Sequence, residues 1–253
     1  MDKPKEYDTM ADLPQWFLGF DCATKTFAFS LSRVDLPGFA TARPALEGRL
    51  ATLRAALAAA ERDGATRAQC EALSAHIARA LAEARSFVRI VDGETVDLCP
   101  GQRDADVGTV DRLRAVARYV AGRVRPSMRA ADGRPIRVLI EYQLGANARA
   151  RAVAAALVTL FADEDVFIIG PTLKNRVATC EAGRYCHFAA RYASTYTANK
   201  AHAKFNFAQF EAAFGTEIPP QAAGLRGHIA DSFLQVIGHL VHGKNDESAR
   251  AMF

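Results

Sequence analysis

Asp21, Glu141 and Asp231 are the residues whose types and settings point to chemistry. Asp21 ends the apolar run Trp16-Phe-Leu-Gly-Phe20, and Glu141 ends Ile136-Arg-Val-Leu-Ile140. Asp231 lies one turn into an apolar helical pattern that starts Gly227-His-Ile-Ala, and His228, three residues before it, shares a neighbouring face. If the two strands run parallel side by side, their terminal carboxylates meet at the sheet's carboxyl edge, where α/β folds place their sites. Clustered carboxylates repel and resist desolvation unless a cation neutralises them. Mg²⁺ or Mn²⁺ suits such an oxygen-rich set. Two such ions, ~3.5–4 Å apart, can activate a water and stabilise the leaving oxygen in phosphodiester hydrolysis. His228 would ligate a metal, with a lean towards Mn²⁺, or position the water. Each acid alone has a plainer reading: Asp21 as a turn or helix cap, Glu141 as a surface residue beyond a buried strand, Asp231 as part of a solvated helix face. Taken together, in this order and setting, the three favour one shared site.

The elements that must position them follow from periodicity. Trp16–Asp21 and Thr26–Ser32 predict two strands joined through Cys22-Ala-Thr-Lys25 as an antiparallel hairpin, the second with aromatics at alternate positions. Residues 44–86 change character: Leu46, Leu50, Leu53 and Leu57 recur at helical spacing, Asp63-Gly64 breaks the pattern, and a second helix runs from about Arg67. This is an inserted helical hairpin with no chemical constellation, read as structural, with a DNA-contacting or dimerising role open. Residues 87–91 and 95–98 read as strand material around Asp92-Gly93. Val110 to Val124 is an amphipathic helix that Pro126 and Ala131-Asp-Gly133 end. After the Glu141 strand come a helix from Asn147 to Phe161, a strand over Val166–Ile169, and helices near 197–214 and 227–241. That alternation is the mark of an α/β sheet.

Half of the 253 residues are hydrophobic, enough for a full core. The net charge of +4 says little about partners, but residues 101–151 hold eleven Arg against five acids, a balance of 11 − 5 = +6. That suits a phosphate-facing surface, or equally a solvated face of an Arg-rich chain. The five Cys form no paired pattern, the polar start lacks an apolar signal segment, and no apolar run approaches the ~18–20 residues of a membrane span. Thiols in a reducing compartment, cytoplasmic or nuclear, and no membrane partner are expected.

These residues match a known pattern. Asp21-x-Ala-x-Lys25-Thr-x-Ala28-x-x-Leu31 resembles the opening motif of poxvirus-type and related RuvC-like Holliday junction resolvases. Val138-Leu-Ile-Glu141-Tyr-Gln143 with Asn147 resembles their second strand motif, and Ile169-Gly-Pro-x-x-Lys174 the next strand and its lysine. Tyr196-x-x-Asn-Lys200 resembles their basic helix, and Arg226-x-His228-x-x-Asp231-Ser-Phe-Leu-Gln235 their closing motif. The match spans residues 16–241, with 44–86 uncovered. It implies an α/β domain of the RNase H-like class over residues 15–245, a mixed five-stranded sheet flanked by helices with an inserted helical hairpin. Residues 1–14 would be a flexible leader and 246–253 a tail.

The resemblance implies Asp21, Glu141 and Asp231 as metal ligands, with His228 a ligand or general base and Lys174 a catalytic lysine. Lys25, Gln143 and Lys200 would lie on the substrate side, with Arg149, Arg151, Lys204 and Arg226 as further DNA contacts. It also implies two Mg²⁺ or Mn²⁺ per site, branched DNA as substrate and a homodimer, because a four-way junction takes two symmetric cuts. The usual setting is recombination or the processing of viral genome concatemers, including at sites of viral DNA replication. There are departures: Ala23 stands for Gly, Thr26 for Asn, His228 for Asp, and Gly227 for an acid. Three firm carboxylates remain, which keeps open other branched or hybrid substrates and a non-catalytic DNA-binding scaffold.

Weaker signals complete the reading. Cys180-x5-Cys186-His187, with His202 distant, is unlike common zinc spacings and is read as structural or incidental. Tyr192, Tyr196, Phe205 and Phe207 lie among basic residues; they could stack on bases, though for the Phe pair core packing is favoured. His239 and His242 are read as solvent-facing.

Overall fold

The computed structural model describes residues 16–23, 25–82, 88–142, 147–174, 194, 197–198, 200–201, 203–204, 207–208 and 226–242. Strands β1 (Trp16–Cys22), β2 (Thr26–Val34), β3 (Val88–Asp97), β4 (Ile136–Glu141) and β5 (Asp165–Ile169) form one sheet in the order β3-β2-β1-β4-β5. β1 pairs antiparallel with β2, and β2 with β3, whereas β4 runs parallel to both β1 and β5. A three-stranded meander extended by two parallel crossover strands is the mixed sheet expected of the RNase H-like class.

Strand alternation divides the core. Trp16, Leu18, Phe20, Phe27, Phe29, Leu31, Val138 and Ile140 face one side. There they meet Ala115, Val116 and Val120 of the helical stretch after β3, and Val153 and Leu157 of α5 (Ala148–Leu160). Phe17, Leu139 and Ile169 face the other side. There the last helix, α6 (Arg226–His242), lays Ile229, Phe233, Val236 and Ile237 on the sheet. Asp21 and Glu141 belong to this second set by the same period of two. Phe20 and Ile140 are register partners, so each acid is the next residue along its strand.

α6 is buried on nearly all sides. A Cβ on Gly19 would stand 2.4 Å from the Ser232 carbonyl oxygen, and one on Gly93 2.9 Å from Ile229 Cδ1. The two missing side chains let α6 approach the strands closely. Its outer side meets Ala203 and Phe207, with Phe207 edge-on to Phe233 at 6.0 Å. Phe207 is therefore core. The hairpin's Leu57, Cys70, Ile77 and Ala80 join the same cluster.

Several local expectations are corrected. The hairpin begins at Leu36, not 44: α1 is Leu36–Arg62 and α2 is Arg67–Ala82. Asp35 caps it, accepting from Gly38 N at 3.1 Å, with proline in the first turn, while Pro44 is carried inside the helix. Gly64, at φ +70°, makes the left-handed break between the two helices. Asp92-Gly93 does not interrupt a strand: β3 is continuous, because Gly93 makes room for Ile229 and Arg123 pairs with Asp92. Nor does Pro126 end its helix. α3 (Thr109–Tyr119) widens into a π turn (Val120–Val124) and continues as α4 (Arg125–Met128), with Pro126 in the first turn after the widening.

His239 is not solvent-facing. It lies between the rings of Phe17 (6.1 Å) and Phe167 (5.5 Å), and burial together with the nearby Arg137 charge lowers its pKa to about 4. Cys22, Cys70 and Cys99 are buried free thiols. No helix among the described residues is long and apolar enough to cross a membrane. Gln143, the Cys180–His187 segment, Tyr192, Tyr196, His202, Phe205, residues 1–14 and 246–253, and the side chains of Arg226 and His242 lie outside the described residues.

Candidate active site

The sheet and α6 bring the three acids together. Asp21 is 4%, Glu141 4% and Asp231 1% exposed, each arriving from a different element: β1, β4 and α6. They are linked through cations and one amide. His228 Nδ1 lies 2.7 Å from Asp21 Oδ2. Lys174 Nζ donates to Glu141 Oε2 at 2.8 Å and lies 3.2 Å from Asp231 Oδ2. Lys200 Nζ donates to Asp231 Oδ2 and lies 3.8 Å from Asp21 Oδ2. Gln235, one turn beyond Asp231, donates from Nε2 to Glu141 Oε2.

Burial and these charges set the protonation states. Burial would raise the Asp21 pKa, but Lys174, the His228 hydrogen bond and Lys200 outweigh it and hold the carboxyl at about 2. Burial pushes Glu141 up to about 7, aided by the Asp21 and Asp231 charges and only partly opposed by Lys174. Burial acts against the Lys174 and Lys200 charges, yet the surrounding carboxylates raise both pKa values. Asp21 is thus an acceptor near neutral pH, and the Nδ1 of His228 is placed to donate to it. Glu141 is poised to hold or release a proton near neutrality.

Two acceptors in this buried set have no partner among the described residues: Asp231 Oδ1 and Gln235 Oε1. Orphaned buried oxygens are costly and signal a missing donor or cation. As they stand, however, the side chains do not fit a divalent ion. Among the described residues no group of three or more His, Cys, Asp or Glu side chains is placed to hold one. Ammonium groups, each reaching two carboxylates, fill that role.

The other sequence-predicted residues are placed variously. Lys25 is turned to Asp97 (3.1 Å) and the Gln102 carbonyl (2.7 Å). Arg149 donates to the carbonyls of Asp104 (3.0 Å) and Ala105 (3.4 Å). Both therefore brace the loop after β3 rather than stand free. Arg151 and Lys204 are exposed, and Lys204 runs its stem beside Gly227, where a Cβ would stand 3.0 Å from Lys204 Cε. The missing side chain of Gly227 is what gives this lysine room. Lys200, expected on the substrate side, sits inside the carboxylate cluster. Gln235 was not singled out as a site residue; its spacing of four from Asp231 on one helix face was the available signal.

No family model matches the chain, and no curated protein does. Among solved structures the chain is similar to a Thermus thermophilus RuvC structure, at 13% identity and TM-score 0.44. It is also similar to T. thermophilus RuvC in complex with Holliday junction substrate, at 11% identity and TM-score 0.45. Each alignment covers 90% of this chain and 95% of the other.

Proposed function

We propose that this chain is a structure-selective endonuclease of the RuvC-like, poxvirus-type kind, hydrolysing phosphodiester bonds in branched DNA, with four-way junctions as its substrate. The observation that carries the reading is the convergence of Asp21, Glu141 and Asp231, 120 and 90 residues apart in sequence, on one buried cluster with His228. In this reading His228 Nε2 or Glu141 takes a proton from the attacking water, and Lys174 and Lys200 face the charge that develops on the phosphate. The motif resemblance implies Mg²⁺ or Mn²⁺, two per site, which the described side chains as arranged do not accommodate, and a homodimer that makes paired cuts in recombination intermediates or viral concatemers.

The test is cleavage of synthetic four-way, flap, RNA–DNA hybrid and linear duplex substrates in each ion, with Asp21→Asn and Glu141→Gln beside the wild type. Preferential nicking of the junction, reduced about 10²–10³-fold in both variants, is expected. Equal cutting by wild type and variants would end the proposal. A second reading, a DNA-binding scaffold without catalysis, is favoured by one observation: the carboxylates are already closed by ammoniums. Junction binding without cutting in either ion would select it.

A further inference from the structure

We propose that the solvent face of α3 and α4, lined by Arg114, Arg118 and Arg129, is a docking surface for the phosphate backbone of a duplex DNA arm, separate from the carboxylate cluster. The inference rests on the branched-DNA reading above and gives that substrate a second place of contact. Residues 101–151 carry eleven arginines against five acids, and the fold divides their uses. Most serve the fold. Arg112 is fully buried on Asp104, Arg123 clamps Asp92 and Glu94, Arg125 pairs with Asp163 and Glu164, and Arg137 pairs with Asp165. Arg149 braces the loop after β3, and Arg103 pairs with Asp106 within that loop. Arg114, Arg118 and Arg129 differ, because all three are exposed. Arg118 and Arg129 have no ion-pair partner among the described residues. Arg114 has a 3.6 Å contact with Asp111, but both side chains are 71% exposed, and such a pair holds little.

Helical phase puts the three in one row. Val116, Val120, Val124 and Met128 turn towards the sheet. Arg114, Arg118, Gly122, Pro126 and Arg129 fall on the opposite side, and each is exposed. An unbroken α-helix would drift by ~40° at every four-residue step, and the wider π turn reduces that drift. The row covers 129 − 114 = 15 residues, roughly 20 Å of helix. From residue 112 to residue 131 the chain holds no acid; Asp111 and Asp132 stand at the two ends.

The row begins beside the candidate active site. Arg112 donates to the carbonyls of Asp104 and Val107, and Lys25, in the turn that follows Asp21, donates to the Gln102 carbonyl of the same loop. α3 therefore starts at the sheet edge that carries Asp21 and Glu141. It runs towards the opposite edge, where β4 begins, on the face not covered by α6. A duplex arm leaving the carboxylate cluster can lie along it.

The chemistry of the row favours a phosphate backbone. Guanidinium forks match phosphate oxygens and stay charged at every working pH. The row holds no large apolar side chain. Val110, one turn ahead of Arg114, is the one exposed large hydrophobic among the described residues. A protein partner would call for apolar anchors and a membrane surface for apolar insertion. Binding to backbone charge needs neither.

The experiment measures binding of the full chain to a labelled four-way junction in chelator, by anisotropy, from about 50 to about 200 mM salt. Wild type is compared with the triple variant Arg114→Gln, Arg118→Gln, Arg129→Gln, with lysine at the same three positions, and with Arg62→Gln. Arg62 is exposed on α1, whose hairpin packs on the α6 side of the core. The glutamine triple is expected to lower the slope of log affinity against log salt by about 2–3 and to weaken binding about tenfold or more. The lysine triple and Arg62→Gln should keep the wild-type slope. An unchanged slope in the glutamine triple, or an equal drop per charge in Arg62→Gln, overturns the proposal.

Should the triple variant not fold, Arg118→Gln alone answers, with a slope reduced by about 1 expected and an unchanged one overturning. Loss of binding to phosphatidylserine vesicles with the junction slope unchanged would assign the row to a lipid surface and overturn the proposal as well. Cleavage is scored apart. A lowered slope in a chain that cuts nothing keeps this surface and removes the nuclease reading. Junction cutting by the wild type with an unchanged slope in the triple variant does the reverse.

Discussion

Two charged clusters tie helices to opposite faces of the sheet, and they are built differently. On the face covered by α3, Arg123 clamps Asp92 with Nη1 at 2.6 Å and Nη2 at 2.7 Å, and donates from Nε to Glu94 at 2.7 Å. Tyr119 and Ser127 complete the two carboxylates, and the guanidinium stacks 5.1 Å over Phe29. Its carboxylate side chains are 24% and 35% exposed, so water shares the load. On the face covered by α6 the acids are deeper, the cations are lysines, and Asp231 Oδ1 and Gln235 Oε1 have no partner among the described residues. The first cluster is a fork matched to its acceptors, which suits a structural clamp. The second holds compact ammoniums beside acceptors that have no partner among the described residues. Buried acceptors without a partner are costly to a fold, so the second cluster is the better candidate for a functional site.

The contrast can be broken. The largest effect is expected for Asp231→Asn, which removes the acid shared by both lysines. Nicking per folded molecule should fall about 10³-fold, equivalent to ~4 kcal/mol of barrier. Retained nicking would place the chemistry elsewhere. Arg123→Ala is the converse: stability in urea should drop by about 2–3 kcal/mol, below the full cost of orphaning a deeply buried pair because these groups are part-exposed. Nicking per folded molecule should be unchanged, and a parallel loss of both would erase the distinction between the clusters.

Gly19→Ala sharpens the comparison by moving the helix rather than the charges. Its Cβ would meet a backbone oxygen at 2.4 Å, so α6 must shift. A loss of about 1–3 kcal/mol with impaired nicking is expected, whereas Gly122→Ala, with open space around it, should leave both untouched.

The smallest effect concerns His239 of α6. His239 has a folded pKa near 4 against an ordinary 6.5, so between these values the unfolded chain binds more protons. Its contribution is complete above pH 6.5 and is lost as pH falls towards 4, with a slope of at most ~1.4 kcal/mol per pH unit. His239→Phe should flatten acid unfolding in that window; an unchanged profile would show that the ring is protonated or hydrated in the native state.

Much of this was legible along the chain because it depends on local period. Short apolar runs located β1 and β4 with Asp21 and Glu141 at their ends, and alternating aromatics located β2. The 3.6-residue pattern found α6 with His228 and Asp231 on adjoining faces. Misreadings occurred where a distant contact overrides a local signal. Gly93 reads as a turn until Ile229 fills the space above it. Pro126 reads as a stop until the π turn ahead of it relieves the ring. His239 reads as solvent-facing until Phe17 and Phe167 close around it.

By itself the sequence determined which acids could meet, since residue type, strand ends and helix faces are encoded within a few neighbours. Only the tertiary structure decided what stands between them. Lys174, Lys200 and Gln235 donate hydrogen bonds to the carboxylates across separations of 31 to 94 residues, and Gly19 and Gly93 let α6 settle on the strands from still farther away in the chain. Long flexible side chains have no period to betray their target. Their positions follow from electrostatic balance in a buried space that exists only once the sheet and helix have closed.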